Sequence, residues 1–177
     1  MVKGRKSSQV GMTLIEVLVS VLILGIGLLG AAAIQLNALR YTDSSAMTSQ
    51  ASFIAYDMMD RIRANVDGNA ANNSANVLAS YALASLANAP AASASNMSNA
   101  VTQDLADFST NITNFAGASG AASKIVIAKP VVTITITWDD TRAAAASDTF
   151  LGRTPGATNP QQFVLSSRIG VNDVVAP

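Results

Sequence analysis

The chain has 177 residues and a mass of 18.1 kDa, room for one compact domain and one long additional element. It contains no cysteine and no histidine, which excludes disulfides, thiolate zinc sites, a Ser-His-Asp triad and a cysteine nucleophile. Half of it is apolar, only 12% is charged, and 11 basic residues balance 11 acidic ones, so neither whole-chain disorder nor nucleic-acid binding is indicated.

Charge is unevenly placed. Lys3, Arg5 and Lys6 lie in the first eleven residues, and without them the chain is mildly acidic. From Met12 to Ile34 the sequence reads MTLIEVLVSVLILGIGLLGAAAI, with Glu16 as its one charge. As a helix this run is about 34 Å long, enough to cross the hydrocarbon of a bilayer. The next basic residue is Arg40, so the positive bias keeps the N-terminus cytoplasmic and places the remainder beyond the membrane. A cleaved secretory signal has a shorter apolar stretch and a small-residue cleavage site. An ordinary anchor fits length and charge but leaves Glu16 unexplained. A carboxylate at the centre of such a segment costs ~2.5–3.5 kcal/mol, less near the interface, and needs a partner.

Gly11-Met12-Thr13-Leu14-Ile15-Glu16, behind a short basic leader, resembles the prepilin processing motif of type IV pilins and type II secretion pseudopilins. The resemblance implies cleavage after Gly11 by a prepilin peptidase and N-methylation of Met12, which stands where phenylalanine is commonest. It also implies that Glu16 serves subunit assembly by neutralising the terminal amine of a neighbouring subunit. The physical logic is sound, because burying either charge alone is costly. Glu16-Val17-Leu18-Val19, Ile26-Gly27-Leu28-Leu29-Gly30, Met59-Asp60-Arg61-Ile62-Arg63-Ala64-Asn65 and Thr135-Ile136-Thr137-Trp138 are most similar to PilV-type minor pilins. The likeness is strong over residues 4–65, weak over 125–169 and absent between.

The implied fold is α+β: a long N-terminal helix, half transmembrane and half amphipathic, packed on a small antiparallel sheet. Five regions follow: a basic leader over 1–11, a transmembrane or filament-core helix over 12–34, its amphipathic continuation over 35–65, a variable connection over 66–123, and a sheet with C-terminal loops over 124–177. Met47, Ala51, Ile54, Met58 and Ile62 recur on one face, and no proline interrupts Met12 to Asn65. One helix of about 80 Å is predicted, its second half burying that stripe against a sheet. Gly25, Gly27 and Gly30 mark either a close helix approach or a stretch that melts locally in filaments.

Residues 64–123 are dominated by Ala, Ser and Asn, a composition read as a surface connection with short helices. Val77, Leu78, Tyr81 and Leu86 allow a weak helix, Val101, Leu105, Phe108, Ile112 and Phe115 a stronger one, with Pro90 between. Asn72, Asn96 and Asn111 begin N-x-[ST] triplets of the kind polar sequence produces by chance. Ile125 to Ala128 reads as a strand. Val132, Ile134, Ile136 and Trp138 alternate with threonines as a second, and Phe163, Leu165 and Ile169 mark a third. Asp139-Asp140-Thr141 and the alanines to Ser147 read as a hairpin excursion, Pro155, Gly156 and Pro160 as a loop. Many pilins close this end with a disulfide; here sheet pairing and packing alone must hold it.

Asp139 and Asp140, with Asp148, could be imagined as a catalytic pair or a calcium site, but neighbouring strand residues face opposite ways and a solvated turn is the expectation. Lys124 and Lys129 lack a glycine-rich phosphate loop. No enzyme, catalytic residue, metal or cofactor is expected. The partners implied by the resemblance are the prepilin peptidase, other minor pilins and the major pilin through the N-terminal helix, and the inner-membrane assembly platform. The implied location is the inner membrane, single-pass with a periplasmic C-terminal domain, then the pilus fibre or tip, with roles in twitching motility and cell adhesion. Two alternatives remain: a minor pseudopilin of a type II secretion system, and a membrane-anchored periplasmic binding or adhesin-like module.

Overall fold

The computed structural model describes residues 13–66, 73–91, 93, 99–141 and 160–169. The element order is α1 (Leu14–Asn65), α2 (Asn73–Ser80), a 3-10 turn (Leu86–Asn88), α3 (Ala100–Ala116), a second 3-10 stretch (Gly117–Ala122), and strands β1 (Lys124–Ala128), β2 (Val131–Asp139) and β3 (Pro160–Arg168). The chain divides into two units, Met1–Arg40 and Tyr41–Pro177.

In the first unit the described residues form the opening part of α1. The amides of Glu16 and Val17 donate to the Thr13 carbonyl at 3.0 and 3.3 Å, starting the helix just behind the leader. No proline follows, and α1 is continuous for 52 residues. Large apolar side chains such as Leu18, Leu22 and Leu29 are exposed, and none of the unit's described residues is buried. It is the one described helix long and apolar enough to cross a membrane.

In the second unit a single core joins the remainder of α1 to the other elements. Ala51, Ala55, Met58, Met59 and Ile62 of α1 are buried, with Met47 and Ile54 partly so. The buried face is wider than the predicted stripe: Ala55 and Met59 join it, in a core that holds residues of α3 as well as of the sheet. The sheet is antiparallel in the order β1-β2-β3, with Ile125 opposite Ile134 and Ile134 opposite Leu165. Val132, Ile134, Ile136 and Trp138 of β2 point into the core, as the period-two pattern requires. Each such side chain contributes about 1.5–3 kcal/mol by leaving water. Trp138 meets Phe115 of α3 edge-on, ring centroids 5.7 Å apart. The result is a long helix packed on a three-stranded sheet, an α+β arrangement consistent with a pilin-like fold.

The Ala/Ser/Asn-rich segment differs from its expected role as a surface connection. Its α3 has 17 residues and buries Leu105, Ala106, Phe108 and Ile112, while Leu78, Tyr81 and Leu83 enter the same core. Small residues keep the remaining positions slim, while Val77, Leu86, Val101 and Phe115 are partly buried against the same core. Asn99 caps α3, its side chain accepting from the Thr102 amide, and Gly117 ends it at φ +57°, where a side chain would be strained. Three residues on, a Cβ at Gly120 would lie 2.5 Å from Ile112 Cγ2, so only glycine fits there. Leu83 forms a two-bond bridge to Ile125, covering part of the free edge of β1.

Several local expectations need correction. Leu86 is not in the helix that holds Val77 and Leu78; it lies in a separate 3-10 turn, and Tyr81 follows the end of α2. Pro160 begins β3 rather than belonging to a loop, as suits the first residue of an edge strand. Asp139 ends β2 with its amide donating to Ser119 Oγ, and Asp140 is buried, so this pair is not a solvated turn. Asn72, Asn96, Asp148, Pro155, Gly156 and the alanines before Ser147 lie outside the described residues.

Candidate functional site

The sequence places the site at the start of α1. Gly11 and Met12 lie outside the described residues, and the description begins at Thr13. Glu16 occupies the first turn of α1, where the exposed amides of a helix end favour a carboxylate. Its main chain is anchored on both sides: its amide donates to the Thr13 carbonyl, and its carbonyl accepts from Ser20 Oγ at 2.7 Å. The side chain is exposed and shares its surroundings with Leu14, Val17 and Leu18, all exposed. A charge on this apolar surface is stable in water and costly in hydrocarbon unless another group neutralises it.

Gly25, Gly27 and Gly30 lie within the unbroken helix. Among the described residues none beyond their own stretch of helix comes within 4 Å of where a Cβ would stand, so packing there makes no use of their small size. Among the described residues there is also no group of three or more histidine, cysteine or acidic residues placed to hold a metal.

A polar cluster that sequence reasoning did not single out lies at the end of α1. Arg61 Nε donates to Asp57 at 2.9 Å, and its Nη1 donates to Asp104 at 3.3 Å and to Asp107 at 3.0 Å on α3. Tyr81 Oη donates to the other oxygen of Asp104 at 2.6 Å and accepts from Asn65 Nδ2 at 2.8 Å, while Gln103 donates to Asp107 at 2.8 Å. Burial opposes the Arg61 charge, but the hydrogen bonds to Asp104 and Asp107 and the nearby Asp57 outweigh it and hold the guanidinium above its ordinary value. Burial pushes the Tyr81 phenol up, reinforced by its bond to Asp104 and only partly offset by Asn65. Such a network ties α3 to the C-terminal turns of α1. Its one signal in the sequence is that Asp104 and Asp107 are two of the three charged residues of the Ala/Ser/Asn segment, with Asp67.

Nearby, Arg63 reaches from α1 to Asp60 and to Ser167 of β3 at 2.9 and 2.7 Å. The expected pilin-like helix end at residues 59–65 is therefore where α1 is fastened to both α3 and the sheet.

No curated protein and no solved structure matches the chain. A family model does: the prokaryotic N-terminal methylation motif, over residues 6–32. That span covers Gly11, Met12 and Glu16 and runs past Gly30, and with the long apolar helix it is consistent with membrane anchoring. The chain thus carries the N-terminal methylation motif of type IV pilin-like and pseudopilin-like proteins.

Proposed function

We propose that the chain is a minor pilin, a structural subunit of a type IV pilus or of its assembly-initiation complex, cleaved after Gly11 and N-methylated at Met12. The observation that carries this reading is the methylation motif over residues 6–32, borne by a chain whose apolar helix has a lone carboxylate in its first turn. After leader removal the protein rests in the inner membrane, single-pass, with its C-terminal domain in the periplasm. The new amine and Glu16 then supply opposite charges at one end of the helix. In the assembled fibre the Glu16 of one subunit neutralises the Met12 amine of its neighbour, and the apolar helix exchanges lipid for other helices. The role is structural rather than enzymatic. Its partners are the prepilin peptidase, other minor pilins, the major pilin and the inner-membrane assembly platform. The quoted segments from Glu16 to Gly30 and from Met59 to Asn65 favour a PilV-type subunit.

Mass spectrometry of the mature N-terminus tests this reading. The expected product begins at Met12 and carries one methyl group, and Gly11→Ala abolishes it. A functional protein that keeps its basic leader overturns the proposal in favour of an anchored binding or adhesin-like module. Deletion of the gene is expected to abolish piliation and twitching; loss of protein secretion with normal piliation would assign the chain to a type II secretion system.

A further inference from the structure

We propose that the lipid-facing part of α1 extends past the apolar run to Leu39, and that Arg40 and Tyr41 make the outer contact with phospholipid headgroups. The proposal rests on the membrane-anchored state described above. α1 is continuous through this stretch, and Leu36, Leu39 and Tyr41 are 57%, 63% and 66% exposed, so none of the described residues covers them. Arg40 is the first basic residue after Lys6 and is followed directly by an aromatic. A basic and an aromatic side chain together suit the headgroup layer, where each keeps an apolar stem in the acyl region and a polar tip in water. Beyond them the helix turns polar at once, with Thr42, Asp43, Ser44 and Ser45. Gln35 and Asn37 fall close to this boundary, where an amide reaches the headgroups.

The dimensions agree. From Glu16 to Arg40 the helix rises about 36 Å, which places one charged residue in each interfacial layer of a bilayer at an ordinary tilt. Ending the span at Ile34 would leave Leu36, Leu39 and Tyr41 in water.

The cysteine-free sequence allows a direct test. Single variants Ile23→Cys, Leu36→Cys, Leu39→Cys, Thr42→Cys and Ser45→Cys of the full chain are placed in phosphatidylethanolamine and phosphatidylglycerol vesicles, with a charged maleimide on both faces. All five positions are exposed on α1, so protection reports lipid rather than packing within the chain. The thiolate that reacts does not form in hydrocarbon. Labelling is expected to be at least tenfold slower at positions 23, 36 and 39 than at 42 and 45. A smaller difference at 36 and 39 with Ile23→Cys still shielded overturns the boundary alone. Labelling at Ile23→Cys as fast as at Ser45→Cys overturns the membrane reading with it.

Discussion

Tyr81 donates its phenolic proton to Asp104 at 2.6 Å, and the other oxygen of that carboxylate accepts from Arg61. One acidic side chain thus joins the buried residue after α2 to the last turns of α1. Tyr81→Phe is expected to cost about 1.5–3 kcal/mol, the range for a hydrogen bond to a charged group. A cycle with Asp104→Asn, followed by denaturant unfolding in detergent, is expected to give a coupling of about 0.5–3 kcal/mol. Additive effects would show that the two residues contribute independently.

The same phenol sets a pH dependence. Its proton is bound more tightly in the fold than at the ordinary value of 10.0, so the neutral form is the one the fold stabilises. That contribution is complete below pH 10.0 and is lost as pH rises above it towards the folded-state value. Unfolding midpoints measured from pH 8 to 11 are expected to fall at the alkaline end, and Tyr81→Phe to flatten the decline. Arg61 acts in the same direction, but only at a pH beyond this window.

Gly120→Ala brings a methyl group to 2.5 Å from Ile112 and 3.2 Å from Ala116, both on α3. Overpacking of this kind costs about 1–3 kcal/mol. Gly117→Ala meets no neighbour but is strained at φ +57°, ψ −137°, at about 1–3 kcal/mol. Pairing Gly120→Ala with Ile112→Ala, which removes the opposing Cγ2 methyl, is expected to cost less in thermal unfolding than the sum of the two single changes. The same partner change is expected to leave the Gly117→Ala loss unrelieved.

Glu16→Ala removes the carboxylate from the first turn of α1 and leaves the leader untouched. Processing and membrane insertion are expected to continue, while the amount of the chain recovered in sheared fibres drops at least tenfold. Glu16→Gln, which keeps the shape without the charge, is expected to behave in the same way. Wild-type recovery of either variant would remove the pairing role.

The alternation of Val132, Ile134, Ile136 and Trp138 with threonines, and the recurrence of Met47, Ala51, Met58 and Ile62, were legible because each follows the period of its own element. The motif around Gly11 and Glu16 was legible for the opposite reason: a charge where periodicity has no use for one. The Arg61 cluster was not. Its partners Asp104 and Asp107 stand 43 and 46 positions away, and no local spacing brings them together. Leu83 was obscured by the small residues around it, and Tyr81, read as part of a weak helix, instead follows that helix and enters the core. Ser123 looked like another polar linker residue, yet it is fully buried and accepts the Thr137 amide at 3.0 Å, ordering the entry to β1.

The fastening of α1 by Arg61, Arg63 and Asn65 at its C-terminal end has a mechanical consequence. Arg61, Arg63 and Asn65 lie within five residues of one another and hold Asp104, Asp107, Ser167 and Tyr81 on separate segments, so a pull on this end of the helix is expected to load several bonds at once. Bonds loaded together resist a steady tug better than bonds opened singly, and no covalent rivet is needed to share the load.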